Sequence, residues 1–181
     1  TLTFSYIREF MLENTGQLIE KLENWCEENK VILEIQVNDW AMAEMIKEKS
    51  LLIPVLGILL NKRRKDPRLH YKLETMTQTG AEASGKFLEE NSLNAGFYRE
   101  YLEKEYGIAR FEWESCGYDM AFPVGKNSLH LPFYQTNTSQ YCTLYAKCTT
   151  GERGKQKLAE ECPKFCKDYA FLYPDHLIMI G

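Results

Sequence analysis

Apolar and polar residues along the chain follow two periods, and these divide it into elements. Thr1–Ile7, with Leu2, Phe4 and Tyr6, alternates as a short strand. From Asn14 to Asn29 the apolar residues fall at Leu18, Ile19, Leu22, Trp25 and Cys26, one face of a helix, with Asn14 or Thr15 as its N-cap. Val31–Val37 is β-branched and reads as a strand, and Trp40–Lys47 as a short helix. Leu52–Leu60 is almost wholly apolar, which suits a strand buried on both faces, with Pro54 expected at its start. Polar loops are expected over Asn61–His70 and Tyr71–Gly80, and a short helix over Ala81–Leu88. Asn94–Tyr106 is a stronger helix, stopped by Gly107 as its C′ residue. Ile108–Glu114 and Leu129–Tyr134 read as strands, Gly154–Tyr169 as a helix with charged faces, and Phe171–Ile180 as a last strand. Strands that alternate with helices imply βαβ units and a mostly parallel sheet. Two architectures fit: a partial or complete (β/α) TIM-type barrel, or an open α/β sheet. A complete barrel takes about 250 residues, so a barrel here is expected to be part of a longer chain.

The composition excludes a disordered or fibrous chain. Of 181 residues, 44% are apolar and 27% charged, as in a globular protein with a core of its own. No linker or repeat divides it, so a single α/β domain is expected over 1–181. The net charge of −4 argues against a general nucleic-acid coat while leaving room for a local basic patch. The longest apolar run, Leu51–Leu60, is half the roughly 20 residues a membrane span needs. With no signal-peptide layout in view, a cytoplasmic protein without membrane contact is expected.

Cysteine carries the sharpest chemical signal. Cys26 lies on the apolar face of the first helix and reads as a small buried hydrophobe, and Cys116 follows a strand end. Cys142, Cys148, Cys162 and Cys166 form a C-x5-C-x13-C-x3-C segment over 142–166. Its spacing leaves three readings open: two disulfides, a structural zinc, or a four-thiolate [4Fe–4S] cluster. In a helix, Cys162 and Cys166 would project from one face, and the surrounding lysines and Arg153 would offset a cluster's negative charge.

Other candidates lie at strand ends, where α/β folds bind ligands. Asn38 and Asp39 are placed to line a pocket there, and Asp39 equally to cap the helix at Trp40. Lys62, Arg63, Arg64, Lys65 and Arg68 crowd the loop after the apolar strand, as a clamp for phosphate or carboxylate or as a solvated charged loop. Glu112 and Glu114 share one side of their strand, for acid–base work, for a divalent ion, as a solvent-facing row, or as partners of the basic loop. His130 faces away from Leu129 and Leu131, toward a polar cavity or into a structural role. The chain holds no G-x-S-x-G, P-loop or G-x-G-x-x-G, which argues against serine hydrolase, P-loop and Rossmann chemistry.

Val37-Asn38-Asp39-Trp40, Pro54-Val55-Leu56-Gly57 and Leu60-Asn61-Lys62-Arg63-Arg64-Lys65-Asp66-Pro67-Arg68 resemble the core motifs of the collagenase-like peptidase family (family U). Ser128–Tyr134 leading into Cys142, and the closing Cys162-x3-Cys166 pair, are similar as well, so the likeness spans about residues 30–181. Ala41 departs from the family's glycine after the tryptophan. The resemblance implies a (β/α) barrel. In several branches it also implies oxygen-independent hydroxylation of an RNA base or of the ubiquinone ring, with a four-cysteine [4Fe–4S] cluster. Cys142, Cys162 and Cys166 match that pattern, with Cys148, or else Cys26 or Cys116, as the fourth ligand. The expected partners are an RNA or anionic small-molecule substrate and a redox partner or second family subunit. Peptidase activity, as the family name says, and a non-catalytic zinc module are the alternatives.

Overall fold

The computed structural model describes residues 1–63, 90–115, 120–131, 141–155, 159 and 161–170. The chain forms two compact units, 1–136 and 137–181.

The first unit is built on five strands: β1 (Leu2–Thr3), β2 (Leu33–Val37), β3 (Leu52–Leu56), β4 (Arg110–Glu114) and β5 (Lys126–His130). Their spatial order is β1-β2-β3-β4-β5, and every neighbouring pair is parallel. This order decides between the two architectures. An open doubly wound sheet reverses its strand order and carries helices on both faces. Right-handed crossovers that always step the same way leave every helix on one face, so the other face becomes the inside of a barrel. The unit is a partial (β/α) barrel.

Among the described residues the crossovers carry α1 (Leu12–Asn29), α2 (Trp40–Ile46) and α3 (Gly96–Tyr106). Their apolar faces (Ile19, Cys26, Met42, Ala43, Ile46, Leu102) join Ile35, Val37, Leu52, Leu56, Phe111 and Trp113 of the strands in one core. The indole N–H of Trp113 donates to Asn127 Oδ1 at 2.8 Å, so this large buried ring leaves no unpaired donor. Gly107 ends α3 in the left-handed region at φ 67°, as its position after the helix requires. Helix α1 begins earlier than its sequence pattern suggests, at Leu12 after a 3-10 turn over Glu9–Met11, and Thr15 lies buried inside it.

Pro54 sits in the middle of β3, opposite Ile35, and not at its start. Gly57 N–H donates to Val37 O, so by alternation the donors of Val55 and Ile53 also face β2 and residue 54 faces β4. Proline removes a donor on that side only, and the β3–β4 seam is correspondingly thin, with Leu56 opposite Phe111 as its one register pair. Burial of β3 is nearly complete, with Ile53 exposed. The strand expected at Leu129–Tyr134 lies instead at Lys126–His130.

In the second unit a helix, α4 (Thr143–Thr150), stands where none was expected. The helix expected over Gly154–Tyr169 is absent among the described residues of that range. Its end is a 3-10 turn, Phe165–Lys167, entered through Lys164 at φ 59°. Pro163 and the left-handed Lys164 are incompatible with a continuous α-helix there. The helix expected over Ala81–Leu88 and the strand over Phe171–Ile180 lie outside the described residues. No helix among the described residues is long and apolar enough to cross a membrane.

Candidate functional site

At the carboxyl ends of β2 and β3 the chain ties itself together. Asn38 is buried; its amide donates to Phe4 O at 2.6 Å, and its carbonyl oxygen accepts from Leu59 N–H at 3.2 Å. The two bonds link the ends of β1, β2 and β3. Asp39 caps α2, with Oδ1 accepting from Met42 N–H at 2.8 Å, while Oδ2 accepts from Ile7 N–H at 2.6 Å. Both residues sit at the strand end where a ligand would approach, and both have their polar atoms engaged with backbone.

The inner face of the sheet is mostly polar. By alternation from the core residues, it carries Glu34 and Gln36 of β2, Ile53 and Val55 of β3, Arg110, Glu112 and Glu114 of β4, and Ser128 and His130 of β5. Arg110 forms the middle of a chain of charges. Its Nη1 donates to both oxygens of Glu34 at 2.7 Å, its Nη2 to Ser128 Oγ at 2.8 Å, and Nη2 lies 3.5 Å from Glu112 Oε1. The carboxyl of Glu34 is held below its ordinary pKa, first by the hydroxyl of Thr1 donating to it and then by Arg110, with desolvation opposing.

Glu112 and Glu114 are buried, so neither forms a solvent-facing row: each side chain is 3% exposed. His130 Nε2 lies 2.6 Å from Glu112 Oε2, and the histidine side chain is 56% exposed. A buried carboxylate thus holds one edge of an imidazole whose other edge faces outward. Glu114 lies beside Arg63, whose Nη2 is 3.7 Å from Glu114 Oε1 and also donates to Glu114 O. Arg63 is as buried as its partner and is fixed by a bridge to Asn91. Of the basic loop, therefore, Arg63 turns inward to a carboxylate. Lys62 is exposed and donates its ammonium to Leu59 O at 2.9 Å. Asn61 is buried; its amide donates to Glu112 O at 3.4 Å, and its Oδ1 has no hydrogen-bond partner among the described residues. Arg64, Lys65, Arg68, Cys116 and Asp119 lie outside the described residues.

The four clustered cysteines belong to the second unit, and all are exposed free thiols, whereas Cys26 is buried in the core of the first. Cys142 caps α4, its Sγ accepting from Tyr145 N–H at 3.4 Å, and Cys148 lies within that helix. Cys162 precedes Pro163, and Cys166 is in the 3-10 turn, so the two do not project from one helical face as their spacing implied. Tyr145 packs on Phe165 with ring centroids 6.4 Å apart, which brings α4 to that turn. Among the described residues, no three His, Cys, Asp or Glu side chains are grouped to hold a metal ion. The donor set fits a four-thiolate group in kind, with four soft ligands in one small unit of short elements.

Sequence reasoning missed the Arg110–Glu34 pair, whereas the partnership of Glu112 and Glu114 with the basic loop, one of its readings, is met by Arg63 turning in to Glu114. The i, i+2 spacing of Arg110, Glu112 and Glu114 was the available signal for the missed pair, since it puts all three on one face. No family model, curated protein or solved structure matches the chain.

Proposed function

We propose that the chain is part of a (β/α)-barrel redox protein that hydroxylates an RNA base or aromatic ring without O₂, like the iron–sulfur branch of the collagenase-like peptidase family that its motifs resemble. The observation that carries the reading is the gathering of Arg63, Glu112, Glu114 and His130 toward the carboxyl ends of parallel barrel strands. Barrel enzymes bind and transform substrates at that end. Cys142, Cys148, Cys162 and Cys166 are the residues that would hold the cluster. When bound, such a cluster supplies one-electron transfer.

Replacing a ring C–H by C–OH with water as the oxygen donor removes two electrons and two protons. The electrons leave to a redox partner, and the protons to bases at the site. The peptidase alternative has less behind it, because among the described residues no hydroxyl or thiol is paired with His130 as a nucleophile.

The test is metal content and an absorbance spectrum on protein purified without oxygen. A brown protein with about four irons per chain, losing them on Cys162→Ala, is expected. One zinc and no iron would turn the reading to a structural module. A metal-free protein after reconstitution with iron and sulfide would sink it.

A further inference from the structure

The pairing of His130 with Glu112 has the parts of a proton-transfer dyad. Glu112 is a carboxylate buried at 3% exposure, and its two oxygens face different partners: Oε2 meets His130 Nε2 at 2.6 Å, and Oε1 lies 3.5 Å from Arg110 Nη2. An ionised carboxylate can only accept, so the imidazole must donate to it from Nε2. For a neutral ring beside an ionised Glu112, that arrangement leaves the lone pair on Nδ1. The ring is 56% exposed, so its outer edge is open to a bound molecule and to solvent. Arg110 is itself held by both oxygens of Glu34 at 2.7 Å and by Ser128, so the dyad rests on a fixed base.

We propose that His130 is a catalytic general base whose Nδ1 takes a proton from an uncharged ring bearing an acidic O–H or N–H, with Glu112 as its positioning residue. In the step, the substrate O–H or N–H bond breaks, its electron pair stays on the substrate, and the proton bonds to Nδ1. The resulting imidazolium is stabilised by the Glu112 carboxylate, and solvent removes the proton later. Substrate charge follows from the groups around the dyad. Around the dyad two guanidiniums stand against three carboxylates: Arg63 is paired to Glu114 at 3.7 Å, and Arg110 to Glu34 at 2.7 Å and to Glu112 at 3.5 Å. Arg110 also donates to Ser128, and the exposed Lys62 ammonium donates to Leu59 O. Among the described residues both guanidiniums of this face are already paired with carboxylates, so neither is free to clamp a phosphate, which favours a neutral donor over an anion.

The inference deepens the proposed hydroxylation, which needs proton acceptors, but its test does not depend on iron. Nitrogen-15 spectra of the histidine rings at neutral pH are expected to show His130 protonated at Nε2 and bare at Nδ1, with that preference lost in Glu112→Gln. Titration with phenol is expected to shift the His130 ring signals, and phenyl phosphate to bind no more tightly. His130→Ala, which removes a half-exposed side chain, is expected to stay folded and to weaken phenol binding several-fold. A proton on Nδ1 in the native protein, a ring unmoved by phenol, or phenyl phosphate binding about tenfold tighter than phenol would each overturn the proposal. Protein that shows the tautomer but never holds iron fails the redox reading alone. Protein that holds iron with the opposite tautomer fails this one alone.

Discussion

Gly57 occupies its position because Asn38 crosses in front of it. A Cβ on residue 57 would lie 2.1 Å from Asn38 Oδ1 and 2.6 Å from Val37 O. Neither can retreat cheaply: Val37 O accepts from Gly57 N–H at 2.7 Å, and the Asn38 amide joins Phe4 to Leu59. Gly57→Ala is therefore expected to cost about 1–3 kcal/mol by overpacking. Chemical denaturation checks it, and a neutral result would mean that the Asn38 tie is dispensable. At the same scale Arg63 and Glu114 form an ion pair with both side chains 3% exposed. Such a pair adds little net stability compared with an apolar replacement, but removing one partner strands a buried charge.

At the scale of elements, α1 ends on Lys30 in the left-handed region, φ 54° and ψ 45°, with its N–H bonded to Cys26 O and Glu27 O. The geometry is that of a C′ glycine, but the residue carries a Cβ. Lys30→Gly is expected to raise stability by up to about 1 kcal/mol, read as a higher thermal midpoint; a lower one would show that the lysine side chain makes up for its backbone. The α2–α3 pair is fastened differently. Tyr106 of α3 donates its hydroxyl to Glu44 of α2 at 2.8 Å and meets Trp40 with ring centroids 5.5 Å apart. Its phenol is held well above the ordinary pKa, through hydrogen bonding to Tyr101 first and then to Glu44. The phenol therefore remains a donor, and the link persists, well into alkaline pH.

At the scale of the whole molecule, the two units divide the chemistry. The first holds the polar barrel face and a buried thiol, and the second holds four exposed thiols. Alkylation of the native, metal-free protein is expected to modify Cys142, Cys148, Cys162 and Cys166 while sparing Cys26 until the chain is unfolded. Peptide mass spectrometry reads the pattern. Early labelling of Cys26 would contradict its place on the buried face of α1. Metal loading before alkylation should then protect the four exposed cysteines and leave Cys26 unchanged, since thiolates bound to a metal are no longer free nucleophiles.

Local periodicity determined much of this protein. The three-and-four spacing of apolar residues marked α1, alternation marked β4 and, with β-branched residues, β2, and Gly107 marked the end of α3, because these depend on which residues share a face or tolerate positive φ. Asp39 as the cap of α2 was legible for the same reason. Local pattern failed where the chain's signals conflict. In the second unit the charged 154–169 stretch imitates a helix that Pro163 and Lys164 interrupt, while Thr143–Thr150 forms one in a polar stretch with little periodicity. Only the tertiary structure chose the barrel over an open sheet, since strand order is a matter of pairing between distant segments. Tertiary structure also made the candidate site. Arg63 and Glu114 are 51 positions apart and Glu112 and His130 are 18 apart, and they meet because neighbouring parallel strands bring their carboxyl ends to one rim. A sequence names the acids, the arginine and the histidine; which carboxylate takes which partner is set by the register of strands that the sequence does not place side by side.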